Sequence, residues 1–319
     1  MSGQVWAVNS LGGFFYAQNL SQELREALQP MERFRQFADV KNAAGKNKGE
    51  TFTWDVVGNV ATAGGTLVET NTVPETQFTI TQATLTINEA GNAVPYSGKL
   101  EALSQFSVRQ PVMNALKNDA NKFLDRAAFA QFNNCKLRYV GTSATGTAIT
   151  TDGTATATNT SALNTTHIKA IVDYMKERNI PAYVADDYMA LAWPSTYRSL
   201  KNSLETLHQY TETGLKMIFN GEIGRYESIR FTEQTNVAKG VTANGGLTGT
   251  AWTGGFSDWA FFFGEDTVAE GIAVPLEMRA KIPTDYGRSK GVAWYWLGGY
   301  GIVHTSASET RILKWDSAA

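Results

Sequence analysis

Cysteine is almost missing from this sequence: Cys135 is the only one among 319 residues. That excludes an internal disulfide and a metal site built on several thiolates. A lone thiol of this kind packs as a small buried hydrophobe. Charge is also scarce. Charged residues make up 18% of the chain, below the usual quarter or so, and glycine, threonine, alanine and asparagine take their place. The formal net charge is −2 and no Lys/Arg run occurs, so the basic face needed for tight sequence-independent nucleic-acid binding is lacking. No stretch approaches the roughly 20 apolar residues of a membrane span. The opening MSGQVWAVNSLGGFFYAQ has no charged region followed by an apolar run, so no secretory signal is expected and a cytoplasm is the expected compartment. N-glycosylation triplets such as Asn159-Thr160-Ser161 stay unused there. His167, His208 and His304 are scattered, with no H-x-x-x-H or H-E-x-x-H spacing, so no metal site is expected.

What is present begins with Arg109–Asn134, a 3.6-period segment between stretches of β character. Pro111 near its start costs no helical hydrogen bond. Phe106, Met113, Leu116, Ala120, Phe123, Leu124, Ala127 and Ala128 mark one buried face. Lys117, Asp119, Lys122, Asp125 and Arg126 fall on the other. Such a helix is roughly 35 Å long, the dimension of a scaffold element. Its apolar face is expected to pack on strands around Gly291–Val303.

Before the helix, residues 1–18 are rich in glycine and aromatics without a period and read as an extended arm. Asn19–Phe37 reads as a helix bent at Pro30, and Lys41–Gly49 as a polar connector. Glu50–Ser97 has strand character at both ends. Phe52, Trp54 and Val56 alternate with Thr51, Thr53 and Asp55. Phe78 and Ile80 fall on one parity and Leu85 and Ile87 on the other, which predicts a bulge near Gln82–Thr84. Gly58–Thr72 is a small, polar tip. The segment reads as a hairpin with strands of up to about 20 residues, reaching on the order of 60 Å. A hairpin of that length needs another surface to lie on, and another subunit supplies the expected one.

After the helix, Arg138–Asn164 is Thr/Gly/Ala-rich and reads as a loop or a weakly specified hairpin. Thr166–Arg178 reads as an amphipathic helix capped by Thr165 or Thr166, with Ile168, Ile171, Val172 and Met175 inward. Ala182–Ala185 and Tyr188–Trp193 read as strands, Pro194–Ser203 and Thr213–Asn220 as helices, and Tyr226–Thr232 as a strand. Together these form an α/β unit. Asn236–Gly255 is a Gly/Thr/Asn-rich loop. Trp259–Phe263, Gly271–Lys281, Gly291–Leu297 and Thr310–Trp315 return the chain to sheet.

Enzyme signatures are weak. Gly287-Arg288-Ser289-Lys290-Gly291 fits G-x-S-x-G, but a strand follows Ser289 where a helix is required, and no acid lies between Ser289 and His304. A turn is the reading adopted. Asp186 and Asp187 point apart on an extended chain and suit a turn better than acid–base work. Gly298-Gly299-Tyr300-Gly301 opens no helix and so cradles no phosphate. Trp294 and Trp296 fit a buried strand better than a sugar-binding ladder.

The order of segments is informative: arm, hairpin, long helix, α/β unit, returning strands. In this order the chain resembles the major capsid proteins of tailed phages, with their Hong Kong 97-type fold. Two patches carry the resemblance locally. Lys48-Gly49-Glu50-Thr51-Phe52-Thr53-Trp54 looks like the strand leading into the E-loop. Asn220-Gly221-Glu222-Ile223-Gly224-Arg225-Tyr226-Glu227-Ser228-Ile229-Arg230-Phe231 looks like an A-domain helix end turning on glycines into a strand. The resemblance implies an α+β fold divided into an N-terminal arm (1–47), an E-loop (48–97), a P-domain with a spine helix and a Thr/Gly-rich loop (98–164), an A-domain (165–285) and returning P-domain strands (286–319). It implies hexamers and pentamers of an icosahedral head around double-stranded DNA, touched only weakly by a wall of near-neutral charge. Expected partners are further copies of the chain, a separate scaffolding protein (only about 45 residues precede the E-loop), a portal and a decoration protein, with assembly in a bacterial cytoplasm and no membrane. No catalytic residue, cofactor or metal is implied. Lys46 and Lys48 lie near the hairpin, but no acid is identified to activate a lysine–asparagine crosslink, so none is expected. The alternatives are an encapsulin-like compartment shell and a soluble hydrolase or glycan-binding β protein using Ser289 or the Trp294/Trp296 strand.

Overall fold

A computed structural model describes residues 28–43, 49–58, 60, 64–70, 72–73, 75–104, 106–141, 143, 147–153, 161–208, 224–237, 251–252, 255–256, 258–282 and 285–317. The expected arm, the helix Thr213–Asn220, and most of Asn236–Gly255 lie outside them. In chain order the regular elements are β1 (Asp39–Asn42), β2 (Thr51–Val57), β3 (Ile80–Thr86), β4 (Asn88–Ser97), α1 (Gly98–Leu103), α2 (Arg109–Asn133), β5 (Leu137–Gly141), β6 (Thr147–Thr150), α3 (Thr165–Glu177), β7 (Tyr188–Ala192) and α4 (Arg198–His208). They continue with β8 (Arg225–Tyr226), β9 (Ile229–Glu233), β10 (Ala251–Trp252), β11 (Gly255–Phe256), β12 (Asp258–Phe263), β13 (Val268–Ala280), β14 (Ser289–Ile302) and β15 (Ile312–Ser317).

Two sheets organise these elements. One has seven strands in the order β6-β5-β15-β12-β7-β9-β8 and the other four, β1-β13-β14-β4. The centre of the larger sheet is β12, whose six residues are all buried. Its DWAFFF sequence reads as a continuous apolar run because both faces are covered. Trp259, Phe261 and Phe263 enter one core with α2 and the four-stranded sheet, while Ala260 and Phe262 enter a second with α3 and α4. On α3, Ile168, Ile171, Val172 and Met175 fill that second core as the periodicity predicts. The cap is Asn164, not a threonine: its side chain accepts from the His167 N–H at 3.0 Å.

The long helix forms where expected, but its buried face is rotated. Leu116, Ala120, Leu124, Asp125, Ala128, Phe129 and Phe132 are buried, whereas Phe123 is 42% exposed. The reason is that α2 serves two sheets. Phe123 packs obliquely on Trp294 of β14, 5.6 Å between centroids, and Asp119 accepts from the Trp294 indole at 3.0 Å. About two turns on, Phe129 stacks on Trp259 and Phe132 meets Phe263 edge-on, both on β12. The helix therefore packs on β14 as expected and on β12 as well.

Other expectations fail for local reasons. Leu28–Phe34 is not helical; only a 3-10 turn, Arg35–Phe37, remains of the described part. Phe34 is fully buried against Phe129 and Phe261, and that anchoring overrides helical propensity. Ala182–Ala185 is a turn closed by a Val184–Asp187 bridge, with Ala185 at φ 52°. The single strand expected at Tyr226–Thr232 is a hairpin, β8–β9, turning at Glu227 and Ser228 with positive φ. Helix α4 starts four residues later than the proline signal suggested, after turns at residues 194–197. The Thr/Gly-rich stretch forms the antiparallel pair β5–β6 at the edge of the large sheet.

Candidate assembly interface

The β2–β3 hairpin forms a two-stranded sheet of its own, paired with neither of the two large sheets. Its register runs unbroken from Thr51↔Thr86 to Val57↔Ile80, and the Gly58 N–H adds one further bond to Thr79 O at 2.8 Å. The bulge expected at Gln82–Thr84 is not there. Phe78 and Ile80 fall on the opposite parity from Leu85 because they face out, 55% and 58% exposed. The paired strands have seven residues each, about 23 Å, well short of the expected reach. Asn88–Ser97 is not hairpin at all but pairs along β14.

One face of the hairpin is seated. Phe52 pairs with Leu85 and Trp54 with Ala83, and Ala83 and Leu85 are fully buried. Their seat is made of glycine. A Cβ on Gly299 would lie 2.1 Å from the Thr86 carbonyl oxygen, and one on Gly301 would lie 2.8 Å from Leu85 Cβ and 3.1 Å from Trp54 Cη2. Gly271, paired with Gly299 across β13 and β14, leaves room for Leu85 in the same way. Deleting side chains lets the hairpin lie directly on backbone. The Trp54 indole N–H then reaches Val303 O at 3.4 Å. A crevice of about 440 Å³ between hairpin and body is lined by Phe52, Trp54, Asp266 and His304. The Asp266 carboxyl is held below the ordinary range by its contact with His304.

The N-terminal segment is clamped on the opposite side of the four-stranded sheet's junction with α2. The Arg35 guanidinium donates from Nε and Nη2 to Glu270, whose carboxylate is buried. Asp125 accepts from the Arg35 backbone N–H at 3.1 Å and from the Asn236 amide at 2.9 Å. Burial pushes the Asp125 carboxyl up, against the pull of these donors. Sequence reasoning placed Asp125 on the charged face; its only signal there was its place one residue after Leu124 and four before Phe129.

The sequence-level candidates for chemistry are dispersed. Ser289 opens β14 rather than a turn, and its hydroxyl takes the Lys281 ammonium. His304 lies beyond the far end of the same strand, on the order of 45 Å away. Asp187 is buried and takes Arg225 Nε at 2.6 Å and Arg230 Nε at 2.8 Å. Its carboxyl is held low mainly by the Arg230 hydrogen bond, so it pins the β8–β9 hairpin to the preceding turn. His167, in the first turn of α3, is fully buried against Trp315. Trp294 and Trp296 are buried towards α2, and Tyr295 on the other face lies under Arg279 at 3.7 Å. Burial pushes the Cys135 thiol up to about 11, leaving an inert hydrophobe. Lys46, Lys48 and the His208 side chain lie outside the described residues. Among the described residues no group of three or more His, Cys, Asp or Glu can hold a metal, and no helix is long and apolar enough to cross a membrane.

Comparison with known proteins decides what this arrangement belongs to. The family model described as "Phage capsid protein" matches residues 35–307. The chain belongs to the phage capsid protein family. The capsid protein shares its fold with solved phage capsids at low identity. The cyanophage P-SCSP1u capsid matches with TM-score 0.70 and 14% identity over 95% of this chain and 93% of that one. The cyanophage Pam1 capsid matches at 0.67 and 13%, covering 95% and 96%, and the capsid of Ralstonia phage GP4 at 0.65 and 16%, covering 100% and 98%. No curated protein matches the sequence. The fold is thus the expected Hong Kong 97-type α+β architecture, and the capsid protein is a structural component of a phage head.

Proposed function

We propose that the capsid protein self-assembles into hexamers and pentamers that close an icosahedral head around double-stranded DNA, and that the hairpin straps one subunit to the next. The observation that carries this reading is the hairpin itself. One face is seated on glycine, while the other shows Val57, Phe78 and Ile80 to solvent. Contiguous exposed apolar surface of that kind marks an interaction site. The strap corresponds to an E-loop within 48–97, carried by a P-domain (98–164 and 286–319) and accompanied by an A-domain (165–285) and an N-terminal arm (1–47). A net charge of −2 suits a wall that touches packaged DNA only weakly. A scaffolding protein, a portal and decoration proteins are the partners such a head takes, and a bacterial cytoplasm is where it forms. Many modest contacts per subunit add up by multivalency.

Electron microscopy of the purified protein, alone and with its scaffolding partner, tests this. Closed shells are the expected outcome, lost in Phe78→Ser/Ile80→Ser. Monomers under both conditions would overturn the reading.

A further inference from the structure

Two segments remote in sequence meet on one carboxylate of α2. The first is residues 28–34, which carries no helix or strand before the Arg35–Phe37 turn and starts at Leu28, almost fully exposed. The second is the loop 234–237 that follows β9. Asp125 is buried and holds both. The Arg35 backbone N–H donates to its Oδ1 at 3.1 Å, and the Asn236 amide donates to its Oδ2 at 2.9 Å.

The segments also bond each other directly. The Met31 N–H donates to the Thr235 hydroxyl at 2.8 Å, and the Thr235 N–H donates back to the Met31 carbonyl at 3.1 Å. These ties lie on both sides of Phe34, whose ring is fully buried among Phe129, Phe132 and Phe261. Beyond Phe34 the Arg35 guanidinium is fixed to Glu270 of β13, and β1 pairs with the same strand. The loop is fastened to the other sheet. The Gln234 N–H donates to the Ala192 carbonyl at 3.0 Å, and the Trp193 indole N–H donates to the Val237 carbonyl, both at the end of β7. One small cluster therefore joins the four-stranded sheet, α2 and the seven-stranded sheet.

The ties are arranged so that none releases alone. Lifting the segment off Asp125 withdraws the Phe34 ring, and withdrawing that ring draws Met31 away from Thr235. Arg35 and Asn236 share one carboxylate, so moving it for one displaces it for the other. We propose that residues 28–38 and the loop 234–237 form a latch that opens and closes as one unit, keyed on Asp125 with Phe34 as its bolt. Its two states are ring seated and ring withdrawn, a local opening of the native fold. A contact that displaces the N-terminal segment is thereby passed to the end of β7, and by reciprocity a contact on the loop acts on the N-terminal segment. The latch goes beyond the shell-subunit reading and belongs to the single chain.

Hydrogen exchange of the full-length protein tests the coupling. Positions 31, 35, 235 and 237 each donate a backbone N–H within the latch. Arg35→Met/Glu270→Gln removes the ion pair to β13 without stranding the buried Glu270 carboxylate. Both changes lie outside the loop, yet Thr235 and Val237 should exchange about tenfold faster or more, together with positions 31 and 35. Asn236→Ala, made on the other side, should speed Met31 and Arg35 in turn. Ile171 and Val172 of α3, in the second core, should keep their wild-type rates. An effect confined to the altered segment would show two independent attachments and overturn the latch. Equal acceleration in α3 would overturn it too, because the segments would then open only with the whole chain. Neither result touches the shell function, which electron microscopy of the wild-type protein reads separately.

Discussion

The seven-stranded sheet and the β2–β3 hairpin solve the same problem in opposite ways. The sheet is covered on both faces, and every residue of β12 is buried within the chain. The hairpin is covered on one face only, by a backbone seat stripped of side chains, and leaves Val57, Phe78 and Ile80 in water. The sheet satisfies itself; the outer face of the hairpin stays exposed. On the proposed function, stability and assembly are carried by different residues.

The strongest test of that division is Phe262→Ala. Phe262 is fully buried in the core shared with α3 and α4, so the change should cost about 3–5 kcal/mol, read from the denaturant midpoint. A loss under about 1 kcal/mol would show that the sheet is not where stability resides. Next comes the seat. Gly299→Ala places a methyl 2.1 Å from the Thr86 carbonyl oxygen, which backbone must yield to. About 1–3 kcal/mol of strain is expected, released by lifting the hairpin. Limited proteolysis should then cut the hairpin faster while the body melts nearly as before. Equal loosening of both would mean that the hairpin and body unfold as one unit.

The smallest effect is the dependence on acid. His167 is buried neutral, and its burial lowers its affinity for a proton below the ordinary 6.5. The unfolded chain then binds the proton more readily, so this contribution to stability is complete above pH 6.5 and is lost as pH falls below it. His167→Gln should flatten that part of the curve of melting temperature against pH. The hairpin, with no histidine, should show no matching change in proteolysis over the same range; a matching change would place the acid-sensitive step at the hairpin and not in the core around α3.

Elements with strong periodicity were legible from the residues alone. The spine helix and α3 fall within one residue of their expected limits, and β7 and β12 follow apolar runs. Side-chain destinations were less legible. Asp125 looks solvated by helical spacing, yet it is the acceptor for Arg35 and Asn236, which are remote in sequence. Lys314 is another case. It stands in a strand between Leu313 and Trp315, and its ammonium is buried 3.7 Å over the Trp259 ring and bonded to Asn133 at 2.7 Å. Burial pushes it down to about 8. Nothing local distinguishes it from a surface lysine.

The sequence by itself determined the strongly periodic elements and their order, the lone thiol and the scattered histidines, because periodicity and composition act over a few residues. Only the tertiary structure decided which way α2 turns its face, where Asn88–Ser97 pairs, and that Gly271, Gly299 and Gly301 form the seat of the hairpin. Those outcomes depend on steric fit between segments far apart in the chain, and no local pattern records such a fit. The same fit leaves the hairpin's outer face unburied, and that is the face which the proposed function sets against a neighbouring subunit.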